Sequence, residues 1–155
     1  MKIVIIGVGG MGAVSLSHMI AAMAMNRSME VISTEIHGMA KKGGMVEIYM
    51  KIGASMSPFI LPGEAHHVLL FSDEYLEYAR GFLLPDGKLL RLSDEEKLKI
   101  VNSCGDIRFS SSYLLGRFVV ENSLFGKDDA IAVLDGFKNA IENKKCFERG
   151  LKNDF

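Results

Sequence analysis

The residues best suited to chemistry in this chain occupy positions 35–44, which read Glu-Ile-His-Gly-Met-Ala-Lys-Lys-Gly-Gly. The ammonium groups of Lys41 and Lys42 can attract a phosphate or a carboxylate, and Gly43 and Gly44 can present backbone N–H groups to an anion. His37 can donate a hydrogen bond or transfer a proton near neutral pH. The competing interpretation is a solvated loop with a structural histidine. Clustering of these groups after a strand favours a ligand-binding loop.

A glycine-rich turn precedes this stretch, with the sequence Gly-Val-Gly-Gly-Met-Gly over residues 7–12. It follows an apolar strand and opens a helix, which is the context of a dinucleotide-binding fingerprint. The N–H groups at such a helix start can hold an anion. Dinucleotide binding, phosphate binding and a purely geometric turn all remain open. Glu35 lies about where a ribose-binding acid would be expected, but the His37-Gly38 pair that follows takes the chain into a loop and weakens that interpretation.

Hydrophobic periodicity predicts the elements that position these two segments. Strands are predicted over residues 2–6, 30–34, 45–53, 67–72 and 88–92, and helices over 11–25, 73–84, 113–124 and 128–143, with a brief capped helix from Ser93. Apolar and polar residues alternate over 45–53, which predicts a strand with one solvent-exposed face that is antiparallel or near an edge of the sheet. The chain is therefore predicted to be one α/β domain over residues 1–155. Its expected fold is Rossmann-like and doubly wound, with a mostly parallel sheet, an irregular glycine-rich loop and a helical C-terminal segment.

Composition narrows the class of protein. The chain has 155 residues, 48% hydrophobic, and a formal net charge of −1, which fits one globular domain and favours neither a nucleic-acid surface nor a polybasic membrane patch. No apolar run is long enough to span a bilayer, and the first residues enter a strand directly, so neither a membrane anchor nor a signal peptide is expected. A cytoplasmic location is expected.

The remaining reactive side chains are given structural interpretations. Cys104 and Cys146 lie far apart and have no metal-ligand spacing, so neither a metal site nor a disulfide framework is expected. His66 and His67 border a strand without a nearby acid, and His18 lies in the first helix as a bystander. No catalytic residue and no metal ligand are therefore expected on this chain.

At these motifs the sequence resembles the gamma subunit, or gamma domain, of 2-oxoacid:ferredoxin oxidoreductases, including the small subunit of indolepyruvate ferredoxin oxidoreductase. That family carries a Gly-x-Gly-Gly-Gln-Gly turn, then Ser-Glu-x-His-Gly-Met-Ala-Gln-Arg-Gly-Gly, then Ser-Pro-Leu-Ile. This chain has the glycine turn, the Thr34 to Gly44 segment and Ser-Pro-Phe-Ile from Ser57 at matching spacing. Met11 stands where the family has glutamine, and Lys41-Lys42 replaces Gln-Arg, which keeps one cation without the guanidinium fork.

The resemblance implies a subunit of a complex that oxidatively decarboxylates a 2-oxoacid to an acyl-CoA and passes electrons to ferredoxin. It implies partner subunits that hold thiamine diphosphate and iron–sulfur clusters, ferredoxin as an indirect partner, and homodimer contacts. This chain would close the active site and contribute to the coenzyme A region, without firmly binding a cofactor itself. The alternatives are a free-standing NAD(P)-binding Rossmann oxidoreductase and a non-catalytic ligand-binding module. The candidate ligand-contacting residues are Gly7, Gly9, Gly10, Met11, Gly12, Glu35, His37, Gly38, Lys41, Lys42, Gly43 and Gly44.

Overall fold

A five-stranded sheet forms the centre of the molecule in the computed structural model. The structure describes residues 1–38 and 43–155, so the predicted site residues Lys41 and Lys42 lie outside the described residues. The strands are β1 (Lys2–Val8), β2 (Val31–His37), β3 (Met45–Ile52), β4 (Ala65–Leu70) and β5 (Leu83–Arg91). They are ordered β2-β3-β1-β4-β5. Four strands run in one direction and β3 runs in the opposite direction, which agrees with the predicted mostly parallel α/β class.

Six helices complete the described fold. They are α1 (Ala13–Asn26), α2 (Leu76–Arg80), α3 (Asp94–Cys104), α4 (Ser110–Glu121), α5 (Lys127–Asp135) and α6 (Ala140–Lys152). All except α2 pack on one face of the sheet and enclose the larger core. The other face is covered by α2 and by the segment around Ile60, which enclose a smaller core. β1 is buried on both faces because its near-continuous apolar sequence lies at the centre of the sheet.

β3 corrects one detail of the sequence prediction. The strand is antiparallel, which is one of the two alternatives predicted, but it does not lie at an edge and neither of its faces is exposed to solvent. Glu47 and Tyr49 are 4% and 7% exposed, because β3 lies inside the sheet and α2 covers that face. The Glu47 carboxylate accepts hydrogen bonds from the hydroxyls of Tyr49 and Tyr78, which satisfies a charge that would otherwise be costly to bury. Burial, followed by these contacts with Glu47, raises the pKa of both tyrosines.

Two predicted helices have different bounds in the structure. The helix predicted over 73–84 is a 3-10 turn at Asp73–Tyr75 followed by α2, and the chain then enters β5, which the prediction began five residues too late. The register between β4 and β5 shifts between Ala65 and His67, and the Pro-Asp-Gly sequence at 85–87 lies within this irregular part of β5. The helix predicted over 128–143 is divided between α5 and α6, with Gly136 at the end of α5.

Two glycines set the distance between α4 and α6. A Cβ atom on Gly150 would lie 2.0 Å from the carbonyl oxygen of Tyr113, and one on Gly116 would lie 2.3 Å from that of Phe147. These separations are far below van der Waals contact, so the two backbones can approach this closely only without side chains.

The two cysteines contradict the expectation of unpaired thiols. Cys104, at the end of α3, and Cys146, on α6, form a disulfide across a sequence separation of 42. Both residues are buried, and the bond fixes α6 to the chain that leaves α3. The pairing escaped the sequence analysis because it depends on tertiary packing of two distant helices rather than on a local spacing.

Candidate functional site

The glycine turn and the glycine-rich segment are joined by a backbone hydrogen bond. The Gly9 N–H donates to the Gly44 carbonyl at 3.1 Å, and the Met11 N–H donates to the Val8 carbonyl at 3.2 Å. Two N–H groups of the turn therefore already donate hydrogen bonds within the protein. Met11 is partly buried and packs its thioether against the larger core. The two motifs form one unit at the carboxyl edge of the sheet.

Gly12 brings a third segment to this edge. It adopts a φ of 96°, in the left-handed region, and a Cβ atom there would lie 2.7 Å from the Arg108 carbonyl and 3.1 Å from the Ser111 Cβ. Gly12 therefore lies against the short 3-10 turn at Ile107–Phe109. The absence of a side chain at Gly12 therefore lets the Arg108 backbone reach the glycine turn.

Arg108 is the functional candidate that sequence reasoning missed. Its guanidinium forms an ion pair with Asp106 at 2.7 Å while 71% of the side chain remains exposed. Hydrogen bonds from Arg108 hold the pKa of Asp106 below its usual value. The Ser111 hydroxyl donates to the Arg108 carbonyl at 2.9 Å, which fixes the backbone of the turn. The local signal was the Asp-Ile-Arg sequence after Gly105, but its position beside the glycine turn depends on the tertiary fold.

Glu35 and His37 do not lie in a loop, as predicted, but in the last three residues of β2. Pairing with β3 extends the strand, with Glu35 opposite Ile48 and His37 opposite Val46. The Glu35 carboxylate lies 3.3 Å from the His37 Nε2 and 4.0 Å from the Nε2 of His18 on α1. His18, interpreted as a bystander, therefore faces the same carboxylate as His37. Glu35 orients an exposed imidazole at the carboxyl edge of the sheet.

These segments surround a cleft of about 270 Å³. The residues lining it are Val8, Gly9, Gly10, Gly12, Ala13, Val14, Ser15, His37, Val46 and Arg108. Four predicted site residues are thus brought together, namely Gly9, Gly10, Gly12 and His37. A Cβ atom on Gly10 would meet nothing within 4 Å among the described residues, so the backbone at this point is open to the cleft.

The cleft can attract an anion for two physical reasons. Gly12 occupies the N-cap position of α1 and provides no capping side chain, which leaves the first N–H groups and the positive end of the helix dipole at the cleft. Arg108 also lines the cleft and carries a positive charge on an exposed guanidinium, which is partly balanced by its ion pair with Asp106. A phosphate or carboxylate group is the chemistry that this combination suits.

The other predicted residues that the structure describes do not line the cleft. Gly7 fits between Ala13 and Phe71, where a Cβ atom would lie 3.0 Å from the Ala13 Cβ, so its role is packing. Gly38 donates its N–H to the Met45 carbonyl at 2.8 Å, and the carbonyl of Gly44 accepts from Gly9. Gly43 has a positive φ of 70° and lies next to Val8. These glycines shape the turn and the hairpin that support the cleft.

Residues 1–38 and 43–155 contain no cluster of three His, Cys, Asp or Glu residues arranged to hold a metal ion. Over the same ranges, no helix is long and apolar enough to cross a membrane.

The sheet order does not favour a nicotinamide site. In a dinucleotide-binding fold the second strand lies beside the first, and its terminal acid reaches the ribose. Here β3 separates β2 from β1, and β2 continues into a hairpin instead of a crossover helix. The Glu35 carboxylate is also engaged by two histidines. The glycine turn therefore lacks the partner that a ribose would need.

The fold and the two glycine motifs define an α/β domain with a cleft at the carboxyl edge of its sheet. The chain belongs to the pyruvate ferredoxin/flavodoxin oxidoreductase family, whose model matches residues 2–111. The chain is similar to indolepyruvate oxidoreductase subunit IorB of Archaeoglobus fulgidus, at 41% identity over 81 residues, or 52% of this chain and 40% of that protein. It is also similar to the IorB subunit of Methanothermobacter thermautotrophicus, at 42% identity over 70 residues, or 45% and 36% of the two chains. The chain thus spans two fifths or less of each of these relatives.

Solved structures share the fold over nearly the whole chain. The keto/oxoacid ferredoxin oxidoreductase gamma subunit of Geobacter sulfurreducens matches with a TM-score of 0.72 and 18% identity, covering 99% of this chain and 97% of that one. The pyruvate oxidoreductase subunit PORC of Thermotoga maritima matches with a TM-score of 0.69 and 18% identity, covering 97% and 94%. A 2-oxoglutarate:ferredoxin oxidoreductase from Magnetococcus marinus, solved with 2-oxoglutarate, coenzyme A and succinyl-CoA bound, matches with a TM-score of 0.76 and 17% identity, covering 99% of this chain and 31% of that one.

Proposed function

We propose that this chain is the gamma-type subunit of a 2-oxoacid:ferredoxin oxidoreductase and that its cleft contributes to the coenzyme A region of the complex. The observation that carries the proposal is the hydrogen bond between Gly9 and Gly44, which unites the two family-type motifs around one cleft. The uncapped start of α1 and the Arg108 guanidinium suit the phosphate groups of coenzyme A. The chain's membership of the family supplies the reaction class.

In this proposal the redox chemistry takes place on partner subunits that hold thiamine diphosphate and iron–sulfur clusters. The described part of this chain offers no cluster of metal-binding side chains, and its two cysteines pair with each other. This chain would position coenzyme A and close the active site, and ferredoxin would receive electrons from the partner that carries the clusters. Homodimer contacts and a cytoplasmic location are part of the same proposal.

The proposal is tested by tagging this chain and purifying it from its native source under anaerobic conditions. We expect a thiamine-diphosphate-binding subunit and an iron–sulfur subunit to copurify, and the complex to reduce a viologen dye only when a 2-oxoacid and coenzyme A are both present. A chain that purifies alone and shows no oxoacid-dependent dye reduction would contradict the proposal. Tight binding of NAD(H) or NADP(H) in a calorimetric titration would instead support the dinucleotide alternative.

Lys41 and Lys42, which stand at the Gln-Arg positions of the family motif, give a second test. Replacing Lys41 and Lys42 with alanine in the complex should raise the KM for coenzyme A by about tenfold or more, since a lost charged hydrogen bond is worth about 1.5–3 kcal/mol. The matched control is Lys88→Ala with Lys152→Ala, which removes the same charge at exposed positions away from the cleft. An equal KM in the two double variants would assign any effect to net charge alone and would remove these lysines from the site.

A further inference from the structure

The two outer strands of the sheet differ in how they could meet another chain. β5, at one edge, contains Pro85 and Lys88, and its register with β4 is irregular near Ala65. The Arg91 carbonyl at its end accepts a hydrogen bond from the Arg117 guanidinium at 2.6 Å. Proline, lysine, irregular register and a covered carbonyl all hinder a sheet edge from pairing with a further strand. β5 is therefore a protected edge.

β2, at the other edge, lacks this protection. Its 7 residues include no proline and no lysine, and its pairing with β3 continues without a register shift from Val31 to His37. The side chain of Ile36 is 42% exposed although it is large and apolar. A regular strand of this length with one open side can pair with a further strand.

The pairing of β2 with β3 fixes which of its backbone groups face outward. The Gly53 N–H donates to the Glu30 carbonyl at 2.9 Å, and the Gly38 N–H donates a bond of 2.8 Å to the residue opposite it on β3. The even-numbered residues of β2 therefore turn their N–H and carbonyl groups toward β3. The residues that turn these groups away from the sheet are Val31, Ser33, Glu35 and His37. Among the described residues, these outward groups have no hydrogen-bond partner.

The sequence of β2 is self-complementary about Thr34. In an antiparallel pair of β2 strands with Thr34 opposite Thr34, Ser33 of each strand faces Glu35 of the other. Val31 faces His37 in the same register. All the outward-facing residues of both strands then fall into hydrogen-bonded pairs, so no outward N–H or carbonyl group of the strand is left over.

The side chains agree with this register. Ile32 of each strand lies opposite Ile36 of the other, which covers the apolar surface exposed at Ile36. The two Thr34 side chains meet at the centre, and cross-strand threonine pairs are favourable. On the other face, the Ser33 hydroxyl of one copy can donate to the Glu35 carboxylate of the other. A register with Glu35 opposite Glu35 would instead bring two like charges together, which is unfavourable.

We propose that the β2 edge is a dimer interface, at which two copies of this chain pair antiparallel about Thr34 and join their sheets into one continuous sheet. The occupant is a second copy because a strand that is symmetrical about one residue presents matching groups to itself, as a two-fold axis requires. The inference rests on the proposed function only for the expectation of homodimer contacts, and it involves neither the ligand nor the reaction.

Cysteine cross-linking in the tagged complex tests the interface and its register. Thr34→Cys should give a disulfide-linked dimer of this chain with oxidised glutathione, because directly opposite residues of this kind have Cα atoms about 4.5 Å apart. Ile36→Cys is the matched control. Its counterpart would lie four residues along the strand, about 13 Å away, so this variant should stay uncrosslinked on a non-reducing gel. The double variant Ile32→Cys with Ile36→Cys should cross-link again, because these two positions face each other.

The wild-type chain provides the baseline for this experiment. Its own cysteines, Cys104 and Cys146, are buried and paired within one chain, so wild type should give no linked dimer. Mass spectrometry of the linked band identifies which chain has been captured.

A proline variant tests the backbone pairing without a cysteine. Ser33→Pro removes an N–H that faces outward, a position at which an edge strand tolerates proline. It should weaken self-association of the full chain by about tenfold or more in sedimentation equilibrium, because it removes a ladder hydrogen bond in two symmetry-related pairs. Ser33→Ala keeps the N–H and should leave the dissociation constant within about twofold of wild type.

The outcomes separate this inference from the proposed function. Cross-linking that is absent from Thr34→Cys, or equal in Thr34→Cys and Ile36→Cys, would overturn the interface, and so would capture of a different subunit by Thr34→Cys. An unchanged dissociation constant in a folded Ser33→Pro variant would also overturn it. Oxoacid-dependent dye reduction by the wild-type complex would leave the proposed function standing in each of these cases. A linked Thr34→Cys dimer from a complex without that activity would support the interface and contradict the proposed function.

Discussion

The contact between Gly12 and Arg108 predicts a specific difference between two alanine variants of the glycine turn. Gly10 and Gly12 have nearly equal positive φ angles, 92° and 96°. Backbone strain from an alanine should therefore lower the free energy of unfolding by a similar amount at both positions, about 1–2 kcal/mol. Only the Gly12 variant also collides with protein. Its Cβ would lie 2.7 Å from the Arg108 carbonyl, whereas a Cβ on Gly10 would meet nothing within 4 Å among the described residues.

The collision cannot be relieved by turning a side chain. The Arg108 carbonyl is backbone, and the Ser111 hydroxyl holds it at 2.9 Å, so the start of α4 must move by about 0.7 Å to restore an ordinary contact. Overpacking of this kind typically costs about 1–3 kcal/mol. Gly12→Ala should therefore reduce the free energy of unfolding by about 2–5 kcal/mol, against about 1–2 kcal/mol for Gly10→Ala.

Urea denaturation followed by circular dichroism measures the difference. The midpoint for Gly12→Ala should lie well below that for Gly10→Ala at an unchanged m-value, and the melting temperature should fall by about 2–4 °C for each kcal/mol. Equal midpoints for the two variants would refute the reasoning, because they would mean that Arg108 does not press against the glycine turn.

Other parts of the fold give further expected outcomes. Gly150→Ala should cost about 2–4 kcal/mol, since its Cβ would meet a carbonyl of α4 at 2.0 Å, whereas Gly136→Ala, with ordinary contacts, should stay within about 0.5 kcal/mol in the same urea titration. Cys146→Ser should lower the free energy of unfolding by about 4 kcal/mol under oxidising conditions, because the bond closes a loop with a separation of 42, and dithiothreitol should reduce wild type to the level of the variant. An unchanged midpoint would show that the thiols are unpaired. Burial lowers the pKa of His67 in the folded state, so wild type should lose stability as the pH falls below about 6.5 more steeply than His67→Leu, and parallel pH profiles would contradict this.

The N-terminal unit was predictable because its signals are local. The apolar β1, the glycine turn and α1 follow each other in sequence, and each has its own composition and period. The edge of the sheet that would hold the site followed from the position of the turn after a strand. The alternation of β3 predicted a strand that is antiparallel or near an edge, and the first alternative is correct. The burial of Glu47 was not predictable, because it depends on the contact with Tyr78 of α2.

The rest of the candidate site depends on contacts between distant segments. Glu35 and His37 were predicted in a loop because their local sequence does not indicate pairing with β3. In the structure, this pairing extends β2 through both residues. Arg108 reaches the cleft only because Gly12 leaves room for it. These contacts depend on how the strands pair and how the helices pack on the sheet, so they cannot be predicted from local sequence.

The central position of β1 has a consequence for the order in which the protein is built. β1 precedes both of its partners in this sequence, and its pairing of Ile3 with His67 requires the chain as far as β4. The β2–β3 hairpin needs only its own residues and can form earlier. During synthesis the apolar β1 therefore remains unpaired until β3 and β4 have been made, and it needs protection from aggregation during that time. Pulsed hydrogen exchange during refolding should show the amides of β2 and β3 protected before those shared by β1 and β4, and simultaneous protection of all four strands would contradict this order.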